Sequence, residues 1–238
     1  MVLLAEPSPP DAELVLQACQ GSGPAFAAIM RRNNRRLYRI ARSILKDDAE
    51  AEEAVQETYL LAFANLHRFR AAAKLSTWLA RIVINEALGR LRRQRCASAD
   101  YVRDTEWLQP DSSTPIWGGG GRANPEAEAA QNELKRLLEA AIDRLPSPFR
   151  VIFILCAIEQ MSIEDAAIAL SIPENTVKTR LHRARRMLRA SLGSTFASML
   201  EGIFPFAGAR CDRVAAAVLC RLGRIDPATA DQWIVSLH

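Results

Sequence analysis

An all-α protein is what this sequence predicts: a helical bundle and a helix-turn-helix domain, joined by a flexible linker and followed by a helical C-terminal tail. Three observations lead there. Aromatic residues make up only 6% of the 238, while alanine and leucine abound. Apolar residues recur three or four apart rather than alternating, as a helix with one buried face requires. Between residues 96 and 125 that pattern fails, and Asp, Ser, Pro and the run Gly118 to Gly121 replace it.

The first domain is expected over residues 11–95. From Phe26 to Leu45 the apolar residues are Phe26, Ile29, Met30, Leu37, Ile40, Ala41 and Ile44, which share one helical face. Asp47 and Asp48 can cap a second helix with Ala51, Ala54, Val55, Leu61 and Ala62 turned inward. A basic loop, Arg68 to Lys74, precedes a third helix starting at Ser76 or Thr77, with Trp78, Leu79, Ile82, Val83 and Leu91 as its apolar stripe. Gly89, inside that helix, costs about 1 kcal/mol relative to alanine.

After the linker, helices resume from Glu126 to Leu145 and from Phe149 to Ile158, separated by Pro146 and Pro148. The second domain is expected over 126–192 and the tail over 193–238. That tail should hold one helix near Arg213 to Leu222 and another after Asp226-Pro227.

Charge is unevenly spread. The net charge of +4 and pI near 9.0 are modest. Yet Arg90, Arg92, Arg93 and Arg95 crowd one stretch, and Lys178, Arg180, Arg183, Arg185, Arg186 and Arg189 another. Such clusters are the footprint of a polyanion binder. Asp47, Asp48, Glu50, Glu52, Glu53 and Glu57 form an acidic run, which repels nucleic acid and points to a protein partner.

Several function classes are excluded. Five scattered cysteines and three dispersed histidines offer no zinc-ligand spacing and read as reduced thiols of a cytoplasmic protein. No metal or cofactor is expected. The glycine run lacks the Gly-Lys-Ser/Thr sequence and the strand–loop–helix setting of a phosphate cradle. No clustered His, Cys or carboxylate site suits catalysis, so the chain is not expected to be an enzyme. Nothing resembles a secretion signal, and no apolar run reaches membrane-spanning length, so membrane insertion is not expected.

The sharpest local motif runs from Met161 to Arg189. Ser162 with Asp165 forms a capping-box-like start, and Ala166, Ala167 and Leu170 make a short apolar face. Ser171 and Ile172 break the chain, and Pro173 and Glu174 suit the first turn of the next helix. Val177, Leu181, Ala184 and Leu188 then mark its inward stripe, leaving Lys178, Thr179, His182, Arg183 and Arg186 outward. Two short helices with a basic second face make a helix-turn-helix, whose second helix can enter a major groove.

The residues Ala51-Glu52-Glu53-Ala54-Val55-Gln56-Glu57, Phe69, Ser76-Thr77-Trp78-Leu79-Ala80-Arg81-Ile82 and Leu91-Arg92-Arg93 resemble region 2 of sigma-70 family factors. Leu145-Pro146 through Arg189, with Ile172-Pro173-Glu174-Asn175-Thr176-Val177-Lys178-Thr179-Arg180-Leu181-His182-Arg183-Ala184-Arg185, resembles region 4. Two regions in this order, without others, are similar to the extracytoplasmic-function subfamily.

The resemblance implies an alternative sigma factor that binds core RNA polymerase, directs it to promoter DNA and assists opening. Asp48, Glu52, Glu53, Gln56 and Glu57 would dock on the polymerase. Arg68, Lys74, Asn85, Arg92 and Arg93 would engage the minus-ten element, and Lys178, Thr179, His182, Arg183 and Arg186 the minus-thirty-five element. An anti-sigma factor is an implied further partner. The loop Arg70-Ala71-Ala72-Ala73-Lys74 and Gly89 depart from the family pattern, and the tail lies outside it, packed on region 4 or contacting an anti-sigma factor. The competing reading is a stand-alone helix-turn-helix transcriptional regulator.

Overall fold

The computed structural model describes residues 10–69, 74–97, 136–192 and 209–224. All regular structure among them is helical. Helix α1 spans Asp11–Cys19, and α2, the axis of the first module, spans Gly23–Leu45. Ser22 caps α2 through its hydroxyl, which accepts from the Ala25 amide at 3.3 Å, and Pro24 fits the first turn. Lys46, at φ 61°, adopts the left-handed conformation that ends the helix.

Helix α3, Asp48–Ala64, is capped by Asp47, whose carboxylate accepts from the Glu50 amide at 2.8 Å. A 3-10 turn, Leu66–Arg68, leads toward α4, Leu75–Ala97. The expected start of α4 is corrected: the Thr77 and Trp78 amides donate to the Lys74 carbonyl, so the helix begins earlier than Ser76. Thr77 spends its hydroxyl elsewhere, as described below.

Every apolar residue expected inward on α2, from Phe26 to Ile44, is buried. On α3 the buried row is Ala51, Ala54, Val55, Thr58, Tyr59 and Ala62. Leu61, expected inward, is 41% exposed instead. Thr58 and Tyr59 take the inward places because each finds a backbone acceptor: Thr58 donates to the Ala54 carbonyl at 2.7 Å and Tyr59 to that of Met30 at 3.3 Å. A side chain at Gly89 would meet only the Arg93 guanidinium, at 3.5 Å, so packing does not demand glycine there.

The described part of the second module opens with residues 136–143, helical and here called α5; residues 126–135 of the helix expected there lie outside the described residues. Helix α6, Ser147–Phe153, continues as a π turn over Ile154–Ile158. Helices α7, Ile163–Leu170, and α8, Glu174–Leu192, complete it. Helix α9, Ala209–Arg221, is the described part of the tail. The expected linker core, its glycine run and the helix after Asp226 lie outside the described residues.

The two modules pack together, α6 against α2 and α7 against α4. Glu159 receives both Arg39, at 3.0 Å, and Arg36, at 3.3 Å. Arg42 pairs with Asp143 at 2.9 Å, and Thr77 donates to Asp165 at 3.0 Å. The described part of the tail does not take the expected place on region 4: α9 packs on α2 and α3.

Candidate nucleic-acid interface

Helix α7 starts where Ser162 accepts from the Asp165 amide at 3.0 Å and returns its own hydroxyl proton to the Asp165 carboxylate at 2.8 Å. This is the expected capping-box-like start, with the carboxylate bonded to the Ser162 hydroxyl rather than to its amide. Ala166, Ala167 and Ala169 are buried, whereas Leu170, expected buried, is only half-buried. Ser171 turns the chain at φ 54°, and the Ile172 amide closes the turn onto the Ala167 carbonyl at 3.1 Å.

That turn sets α8 with Val177, Leu181, Ala184 and Leu188 all buried. The opposite face presents Lys178, Thr179, His182, Arg183 and Arg186, all exposed. Lys178 is steadied by Glu174 one turn earlier, at 3.4 Å. Thr179 returns its hydroxyl to the Asn175 carbonyl at 2.8 Å, which leaves the oxygen free to accept. Four buried apolar residues thus anchor a helix whose exposed face is mainly cationic and polar, with Met187 at its flank.

Asp165 faces both ways. Burial opposes its ionisation, but hydrogen bonds from Ser162 and Thr77, with the Lys74 charge nearby, outweigh that and hold its carboxyl below the usual range. A depressed value means stability present above pH about 4 and lost as pH falls through the folded value. Replacing Asp165 with Asn should therefore lower the urea midpoint near pH 7 and flatten its acid limb. An unchanged acid limb contradicts this.

In the first module, Arg68, Lys74, Asn85, Arg92 and Arg93 are all exposed. Arg93 leans on Glu86 at 3.4 Å but keeps most of its side chain in solvent. Arg90 is a correction to the arginine-dense cluster. Glu86 at 2.8 Å, Glu53 at 2.9 Å and Glu50 at 3.4 Å hold it, and only 17% of its side chain is exposed. It ties α4 to α3 rather than facing phosphates. Trp78 packs against Phe69, ring centroids 5.5 Å apart, at the base of the loop. Residues 70–73 of that loop lie outside the described residues.

The acidic helix does not present a bare face. Glu53 is 65% exposed, but Glu52 is only 21% and Glu57 only 33%. Asp48 accepts from Tyr38 and Arg42, both at 2.9 Å. Burial and the adjacent Asp48 charge raise the Tyr38 hydroxyl well above its ordinary value, so it stays a donor. Gln56 is half-buried.

Comparisons with known proteins agree with this geometry. The family model Sigma-70 region 2 matches residues 29–96, and that of Sigma-70, region 4 matches 135–188. The ECF RNA polymerase sigma factor SigW of Bacillus subtilis (strain 168) is 32% identical over 181 residues, 75% of this chain and 94% of SigW. The chain belongs to the extracytoplasmic-function (ECF) sigma factors of the sigma-70 family.

This sigma factor is also 34% identical over 183 residues to the ECF sigma factor SigM of Mycobacterium tuberculosis (strain ATCC 25618 / H37Rv), covering 77% of this chain and 85% of SigM. Among solved structures it is similar to CnrH in complex with the cytosolic domain of CnrY, with TM-score 0.53 and 26% identity, over 76% of this chain and 95% of that one. The sigma factor RpoE of Bartonella quintana, solved with the anti-sigma factor NepR, shares the fold at TM-score 0.50 and 23% identity, over 76% of this chain and 95% of RpoE.

The protein is an alternative sigma factor that directs RNA polymerase to promoters. Its family consists of non-catalytic transcription-initiation factors. A stand-alone helix-turn-helix regulator would leave the region 2 match without a role. Among the described residues, no helix is long and apolar enough to cross a membrane. Both family models end before α9, so the tail lies beyond them.

Proposed function

We propose that this sigma factor joins core RNA polymerase through α3 and touches promoter DNA at two places, working in the cytoplasm without chemistry of its own. One observation carries the reading: the exposed basic face of α8, backed by its buried apolar stripe. Lys178, Thr179, His182, Arg183 and Arg186 would meet the minus-thirty-five element in the major groove, where Arg and Lys read guanine edges. Arg68, Lys74, Asn85, Arg92 and Arg93 would engage the minus-ten element. Arginines there contact phosphates, and capture of an unstacked base offsets part of the melting cost. Asp48, Glu52, Glu53, Gln56 and Glu57 would contact polymerase, whose catalytic centre performs the synthesis.

The working division is residues 11–95 for region 2, 96–125 for the linker, 126–192 for region 4 and 193–238 for the tail. An anti-sigma factor is a fitting further partner, since CnrH and RpoE were each solved with a bound partner protein. Elements about 25 base pairs apart lie about 85 Å apart along DNA. A compact chain of this length is about 45 Å across. Engaging both elements therefore requires the modules to separate at Arg39–Glu159, Arg42–Asp143 and Thr77–Asp165.

The test is runoff transcription with purified core polymerase, alone and with this chain. A promoter-specific transcript is expected only when the chain is added. No such transcript on any promoter tried, together with no core binding, rejects the proposal.

A further inference from the structure

The face of α2 and α3 that carries the acidic run already has an occupant. Arg210 donates to Glu52 at 2.8 Å and to the Tyr38 hydroxyl at 2.8 Å, and its guanidinium approaches Asp48 to 3.8 Å. Arg213 reaches Glu52 at 4.0 Å, and Arg221 reaches Glu57 at 3.3 Å. Between these cations Val214, Ala215, Val218 and Leu219 are buried. Helix α9 is thus amphipathic in the sense its site demands, with apolar residues inward and arginines laid over α3's carboxylates. Beyond its end, the Arg224 guanidinium sits 5.5 Å from the Phe26 ring centroid.

The contact also carries a mark of reversibility. Asn34, fully buried on α2, gives its amide nitrogen to the Cys211 sulfur at 2.8 Å and to the Cys211 carbonyl at 3.3 Å. Its amide oxygen, also buried, finds no hydrogen-bond partner among the described residues. A buried acceptor left bare costs free energy, which offsets part of what the Asn34–Cys211 contact contributes. The Arg213–Glu52 and Arg221–Glu57 pairs, whose arginines are more than half exposed, add little to hold the helix down. The Cys211 thiol is no trigger for release, since burial pushes its ionisation up and away from reactivity.

We propose that α9 is an intramolecular competitor of core RNA polymerase, occupying the Asp48–Glu52–Glu57 face until polymerase displaces it. The inference rests on the proposed docking role of α3. A chain that spends only a fraction of its time open binds more weakly by that fraction. The tail would thereby set how much polymerase is needed before the factor engages.

The experiment measures core-polymerase affinity with the full-length chain. Arg210→Ala/Arg221→Glu weakens the tail contact while leaving every α3 carboxylate in place, and Tyr38 keeps Asp48 as a partner. It should bind core about tenfold more tightly. Glu53→Ala alters the part of the face that α9 leaves open, and should bind core more weakly.

Amide exchange over residues 209–221 adds a direct readout: it should quicken when wild-type chain binds core. If Glu53→Ala weakens binding but the tail variant, folded by circular dichroism, binds no more tightly than wild type, the tail proposal fails alone. Retained protection of α9 in the polymerase complex also overturns it. If Glu53→Ala binds like wild type, the docking role of α3 is what fails.

Discussion

Replacing Arg150 with Ala is expected to destabilise the fold by about 3–5 kcal/mol, a large share of the 5–15 kcal/mol typical of a folded domain. Arg150 lies on α6 and is only 2% exposed. Its Nε donates to the Ser43 carbonyl, near the end of α2. One terminal nitrogen donates to the Asp143 and Leu145 carbonyls, at 3.0 and 2.8 Å, where α5 ends. Helix ends leave carbonyls that need donors, and here one side chain serves two ends from different modules.

Alanine would strip those acceptors of their partner and open a cavity at once. Lysine would recover little, because a point charge cannot reach carbonyls in the directions that a planar fork can. Urea unfolding followed by circular dichroism checks this. A loss below about 1 kcal/mol for Arg150→Ala would show that the site relaxes around the change.

Replacing Arg183 with Ala should cut use of promoters that depend on the upstream element by about 5- to 150-fold. That range corresponds to 1–3 kcal/mol for a guanine-reading contact. Arg183 is exposed, so neither folding nor polymerase binding should change. Lys178→Ala should instead weaken binding evenly across sequences and reduce the salt dependence by about one counterion. Promoter titrations with reconstituted holoenzyme at several salt concentrations separate the two effects. Loss of core binding in Arg183→Ala, with promoter preference intact, would contradict the division of surfaces.

Where burial follows spacing, the sequence was legible. The face of α2 from Phe26 to Ile44 and the stripe Val177, Leu181, Ala184 and Leu188 each lie where three-and-four spacing puts them. Leu61 is apolar and three-and-four spacing from Ala51 admits it, yet it stays 41% exposed. At about 100° per residue it falls at the edge of the face that Ala51, Ala54, Val55, Thr58, Tyr59 and Ala62 bury. Thr58 and Tyr59 hold the inward places by bonding their hydroxyls to backbone, which residue type does not announce.

The basic clusters were visible but their addressees were not. Arg90 looked like its exposed neighbours, although Glu86 four residues earlier was a local hint of a pair. Its bonds to Glu50 and Glu53 cross between helices and leave no trace in the chain's periodicity. The same holds for Arg39 with Glu159, which are 120 residues apart. For the tail, the sequence pointed to a helix near Arg213 to Leu222 and no further. That its target was the acidic run of the same chain depended on tertiary docking.

The turn between α7 and α8 has one more consequence. Ser171 holds it in a left-handed conformation that most residues avoid, and the Ile172 amide locks it shut. The crossing of the two helices is therefore welded by main chain as well as by the buried apolar residues of both. A welded reading head cannot swivel α8 to suit promoters whose two elements sit nearer or farther apart. Tolerance to spacer length must then be supplied by slack between the modules, with the head riding along the duplex as a single rigid piece.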